Sequence, residues 1–194
     1  MAATVDFNHD EEVADAILDR LRNATNGLPS TWLDEDNPLL GLKRIDFGSL
    51  ETYRFSGETG DEGLADLVPS ILVRFTSSQE ASAFGLIGGK EGQSATFSVV
   101  HVFGEEQCRD KTDASEPIQP ERAKAQKAKI VNKAIFNDAT NAYRRKLGNP
   151  TLTTSDTAAH IVIAVPAGVN YNPPEDGGAL YAFAVQISVM TLTK

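Results

Sequence analysis

Two stretches of strict alternation constrain this chain most. In "SATFSVVHVFGEE", Phe97, Val99, His101 and Phe103 fall on one side, and Thr96, Ser98, Val100 and Val102 on the other. In "GALYAFAVQISVMTLTK", Tyr181, Phe183, Val185, Ile187 and Val189 share one face, and Ala182, Ala184, Gln186, Ser188 and Met190 the other. Successive side chains of an extended strand point to opposite sides, so each stretch predicts a long strand with one strongly apolar face. Two shorter apolar runs, "SILVRFT" (Ser70 to Thr76) and "AHIVIAV" (Ala159 to Val165), are read as buried strands. The glycines from Gly85 to Gly92 form the tip of a hairpin between Ser70–Thr76 and the first alternating stretch. "PAGVNYNPPEDGG" is expected to be a loop, too long for a tight hairpin.

Two segments carry helical periodicity. From Asp10 to Ala24, Val13, Ile17, Leu18 and Leu21 form one stripe, with acids in the first turn, Arg20 and Arg22 in the last, and Asn26-Gly27 as a stop. A second helix is expected from Pro120-Glu121 to Gly148-Asn149-Pro150, its stripe running through Ala123, Ala128, Ile130, Val131, Ala134, Ile135, Ala139, Ala142, Tyr143 and Leu147. "LKRIDFGSLETYRF" (Leu42 to Phe55) reads as a short hairpin, and the rest of residues 28–68, like Glu105 to Pro120, as exposed loop. The order helix, hairpin, strand, strand, helix, strand, strand predicts a single α+β domain over 1–194: an antiparallel (mixed) sheet, two main helices on one face, and long loop insertions at about 28–68 and 105–120.

Charge is unevenly spread. Between Glu121 and Leu147 eight lysines and arginines face two acids, a local balance of +6 in a chain of −9 overall, so the remainder carries −15. That acidity speaks against general nucleic-acid binding, which needs basic surface to displace counterions. No apolar run approaches the roughly 18–20 residues of a membrane-crossing helix, and the first residues lack the basic and apolar regions of a secretory signal. The single cysteine, Cys108, has no internal disulfide partner and suits a reducing compartment.

Tests for chemistry are negative. His9, His101 and His160 are far apart, and His101 shares a face with Phe97, Val99 and Phe103, as a core histidine would. "GLIGGKEG" places Glu91 where a phosphate loop needs Ser or Thr, and "DEDNP" lacks the glycine and distal glutamate of a calcium loop. No catalytic residue, cofactor or metal ligand is assigned, and an enzyme is not expected.

The features left over suggest contact with other chains. The basic residues of the second helix, Arg122, Lys124, Lys127 and Lys133 with Arg144 and Arg145 at its far end, are expected at exposed positions, either as a solvated helix face or docking on the acidic surface of a neighbouring copy or another subunit. Such head-to-tail contact closes into rings. The last strand is expected to reach past its neighbours as an open edge, so that Gln186, Ser188 and Met190 meet the next subunit.

The layout resembles the tail-terminator and tail-completion proteins of the neck of long-tailed bacteriophages. The matching stretches are "DEEVADAILDRLRNA", the strands around "PSILVRF" and "SATFSVVHVFGEE", the later helix, and the final pair ending "LYAFAVQISVMTLTK". The long 28–68 segment and the 105–120 loop depart from that compact pattern. The resemblance implies a homohexameric ring capping the tail tube, assembled in the host cytoplasm, with tube protein and head-side connector as partners and no catalytic residue. Alternatives are another virion connector subunit, a small enzyme using the acidic loops, or a monomeric binding module.

Overall fold

The structure, a computed structural model, describes residues 10–48, 67–80, 92–136, 159–175 and 180–193. Its elements are α1 (Asp10–Arg22), α2 (Ser30–Leu33), β1 (Arg44–Phe47), β2 (Ser70–Glu80), β3 (Gly92–Gly104), a short 3-10 turn at Glu105–Gln107, α3 (Pro120–Phe136), β4 (Ala159–Glu175) and β5 (Leu180–Thr193). The five strands form one sheet in the order β1-β2-β3-β5-β4. β1 runs parallel to β2, and every other neighbouring pair is antiparallel. The expected α+β class with a mixed sheet and two main helices is therefore the observed one.

The alternation of β3 and β5 decides how the sheet is covered. Phe97, Val99 and Phe103 join Phe183, Val185, Ile187 and Val189 in one large core with the buried stripe of α1 (Val13, Ile17, Leu18, Leu21) and that of α3 (Ala123, Ala128, Val131, Ala134, Ile135). Both helices thus lie on the same face, and Arg20 Nε donates 2.8 Å to the Ala134 carbonyl, fastening α1 to α3. The opposite face carries a smaller cluster of Leu72, Val100, Val102, Leu180, Ala182 and Ala184, closed by Leu67 and Val68.

The helix end at Arg22 has a local cause. Asn23 Oδ1 accepts from the backbone N–H of Thr25 and Asn26, and the Gly27 and Leu28 N–H groups turn back to the Asn23 and Leu21 carbonyls. A Cβ at Gly27 would run into the carbonyl oxygens of Arg20, Leu21 and Asn23, so only glycine closes this turn.

The strands and the loop after β3 depart from expectation in their details. Arg44–Phe47 is a strand, and among the described residues it pairs in parallel with β2 (Arg44 beside Ser70, Phe47 beside Val73). β4 does not stop at Val165. It continues through the segment expected to be loop as far as Glu175: Pro166 is level with Ile187, the shift between Asn172 and Glu175 takes up Pro173 and Pro174, and the ladder with β5 persists past further shifts at Ile161/Ile163 and Pro166/Gly168. The last strand is not an edge: β5 lies between β3 and β4 and is paired on both sides over nearly its whole length. Last, the 105–120 loop, expected to be exposed, buries Gln107, Cys108 and Asp110, and its backbone is tied down, as set out below. The part of the second helix beyond Phe136, the glycine tip at 85–91 and the second arm of the expected hairpin lie outside the described residues.

Candidate subunit-interaction surface

α3 was expected to present its basic residues to solvent, and it does so only in part. Arg122, Lys129 and Lys133 are exposed, whereas Lys124 and Lys127 are 2% and 4% exposed. The reason is periodicity: Lys127 lies four residues after Ala123 and four before Val131, on the same buried stripe. Arg144 and Arg145 lie outside the described residues.

The two buried lysines are held differently. Lys124 Nζ pairs with Glu121 Oε1 at 2.6 Å, so its stem is covered while its partner, 78% exposed, sits at the surface. Lys127 Nζ stands over two rings, 4.8 Å from the centre of Trp32 and 5.1 Å from that of Phe103. Burial lowers its pKa to about 8, against a weak opposing influence of Cys108. Two desolvated ring contacts, each worth about 2 kcal/mol, offset much of the several kcal/mol that removing an ammonium from water costs.

His101 lies in the same aromatic cluster, its ring 5.2 Å from Trp32, 5.0 Å from Phe103 and 5.5 Å from Phe183. It is 1% exposed, as a core histidine. Its Nδ1 sits 3.0 Å from the Ser70 carbonyl, which only accepts, so Nδ1 carries the proton, and Nε2 is buried without a partner. Burial, and then the charge of Lys127, lower its pKa to about 3, so the imidazole is neutral at pH 7. Cys108 is buried beside this cluster, and burial raises its thiol pKa, the opposite of what an activated nucleophile needs.

The following loop is organised by Asp110. Its Oδ1 accepts from the Thr112 N–H (2.9 Å) and hydroxyl (2.6 Å), and its Oδ2 from Gln126 Nε2 (2.9 Å), with Arg122 at 3.5 Å. Gln126 Oε1 in turn accepts from the Lys111 N–H at 2.8 Å. Hydrogen bonds from Gln126 and Thr112 hold the Asp110 carboxyl far below the usual range. A polar stretch without periodicity is thus fastened to α3 by the Asp110 carboxylate and the Lys111 N–H, both held by Gln126. The only sequence signal was the Asp-x-Thr and Asp-x-Ser spacing of Asp110/Thr112 and Asp113/Ser115, each a side-chain-to-backbone turn.

Gln186, Ser188 and Met190 are half-buried on the face of the sheet away from the helices. Gln186 is level with Ser98, which is level with Arg74, and on the other side Gln186 faces Gly168 of β4. Ser188 is level with Thr96, and Met190 with Ser94. Thr76 and Ser98 share a hydroxyl hydrogen bond of 3.1 Å. This half of the helix-free face is a largely polar field, with Arg74, Thr76 and Ser94 exposed. It brings together the three β5 residues expected at an interface but not the α3 basic residues, which lie on the opposite side of the sheet.

Among the described residues no three His, Cys, Asp or Glu side chains cluster as a metal site would require, and no helix is long and apolar enough to cross a membrane. No known protein family matches the sequence, and no curated protein matches it either.

Proposed function

We propose that this chain is a structural assembly subunit of a bacteriophage tail or neck, of the tail-terminator type: a non-enzymatic ring subunit that caps the tail tube and joins it to the head-side connector, residing in the virion after assembly in the host cytoplasm. One observation carries the reading. The sheet is layered with helices on a single face, and half of its other face is a partly exposed, largely polar field around Arg74, Ser98, Gln186, Ser188 and Met190. An open sheet face of this kind suits contact with another protein surface better than it suits enclosing a small substrate. The buried thiol and the ring-covered amine of Lys127 favour a structural role for these two groups.

The test is assembly with purified tail-tube protein, followed by light scattering and negative-stain electron microscopy. Rings, alone or on tube ends, are the expected result. Gln186→Arg with Ser188→Arg should keep the fold and lose the rings. A chain that stays monomeric with and without tube protein, at low and high salt, overturns the reading.

A further inference from the structure

The outward faces of the two main helices carry opposite charge. On α1 the exposed positions Glu11, Asp15 and Asp19 recur every four residues, and the exposed Arg22 that continues their stripe donates its guanidinium to the Ile45 carbonyl. On α3, Arg122, Lys129 and Lys133 lie on one stripe with Ala125 between them, also exposed. At about 1.5 Å per residue the two rows run roughly 12 Å and 16 Å. Each lies opposite its helix's buried stripe, so both point away from the sheet, side by side on neighbouring helices joined by Arg20 and Ala134.

Helix stability does not explain these rows. Like charges four residues apart repel, as Glu11 with Asp15, Asp15 with Asp19 and Lys129 with Lys133 must. The helix dipole favours Glu11 in the first turn of α1 and Lys133 in the last turn of α3, but it disfavours Asp19 in the last turn of α1 and Arg122 in the first turn of α3. Among the described residues only Arg122 of the six has an ion-pair partner, Asp110, and its side chain remains 66% exposed.

We propose that the helical layer docks on the helical layer of a second copy about a two-fold axis, the acidic row of α1 lying on the basic row of α3 and reciprocally. Equal and opposite rows of three charges on one side of the molecule are what such an axis brings together twice. A cationic or anionic partner of another kind would satisfy one row and face repulsion from the other. A head-to-tail ring would need the rows on opposite flanks, so this contact closes at two copies. It leaves the helix-free sheet face open, and so stands or falls apart from the assembly proposed above.

Analytical ultracentrifugation of the whole chain tests this. The self-association constant should fall on the order of tenfold or more as salt is raised from about 0.02 M to about 0.5 M. Asp15→Lys with Asp19→Lys, and separately Lys129→Glu with Lys133→Glu, should each abolish association at low salt while keeping the far-ultraviolet circular dichroism of the parent. Mixed in equal amounts, the two variants should associate with each other. If either variant unfolds, the neutral pairs Asp15→Asn/Asp19→Asn and Lys129→Gln/Lys133→Gln should weaken association in the same way. A parent chain monomeric at low salt, association insensitive to these changes, or folded variants that do not recover on mixing overturns the proposal.

Discussion

Lys127 Nζ stands 4.8 Å above the centre of the Trp32 ring, while Lys133, on the same helix, is exposed. Reversal of the two charges therefore has opposite consequences. Lys133→Glu should change stability by less than about 0.5 kcal/mol. Lys127→Glu puts a carboxylate against the faces of Trp32 and Phe103 and should cost about 3 kcal/mol or more. Lys127→Met keeps the stem and removes the charge, and should be neutral or stabilising at pH 7. Because the folded pKa of about 8 lies below the ordinary 10.5, the unfolded chain holds the extra proton between these values. Stability from this group therefore rises with pH across that window, and Lys127→Met should lack the rise in urea titrations from pH 8 to 10.

His101 governs the acid side. Its folded pKa of about 3 is below the ordinary 6.5, so the unfolded chain takes up a proton first as pH falls. The stability it contributes is complete above pH 6.5 and is lost progressively toward pH 3, on the order of 4 kcal/mol in all. His101→Gln retains a donor for the Ser70 carbonyl and cannot titrate. Denaturation free energies measured from pH 7 to 4 should fall less steeply for this variant than for the parent.

Asp110 should control the loop after β3. Asp110→Ala removes the acceptor of Thr112 and Gln126 together, and Gln126 also holds Lys111. Limited proteolysis should cut faster between residues 110 and 119, with a lower melting temperature. Asp113→Ala, whose carboxylate is engaged only with Ser115 in its own turn, should leave the rest of the loop protected.

Adjacent positions on β5 should respond in contrasting ways. Val185 is fully buried under the helices, and Val185→Asp should cost about 4 kcal/mol or more and leave the chain unfolded. Gln186, its neighbour on the other face, should accept Asp at a cost below about 1 kcal/mol. Thermal melts followed by circular dichroism decide both.

What was legible follows from period. The faces of β3 and β5, the stripe of α1 and the core placement of His101 all follow from spacing alone, because a strand alternates by two and a helix returns after three to four residues. Strand order did not follow, since pairing depends on which surfaces meet across the fold: nothing within "LYAFAVQISVMTLTK" says that both of its edges are occupied. β4 was cut short because Pro166, Pro173 and Pro174 read as loop, while bulges carry the ladder past them. Lys124 and Lys127 were read by charge. Their spacing from Ala123, Ala128 and Val131 put them on the buried stripe, and that spacing was the better guide.

The insertion of β5 between β3 and β4 also bears on how the protein is made. The two flanking strands precede β5 in the chain and have no ladder with each other. On the ribosome β3 waits with one side unmatched, and β4 with no ladder at all, until β5 emerges and slots between them. Closure of the sheet is thereby a late event coupling distant parts of the chain, and the nascent protein depends on its last strand to become whole.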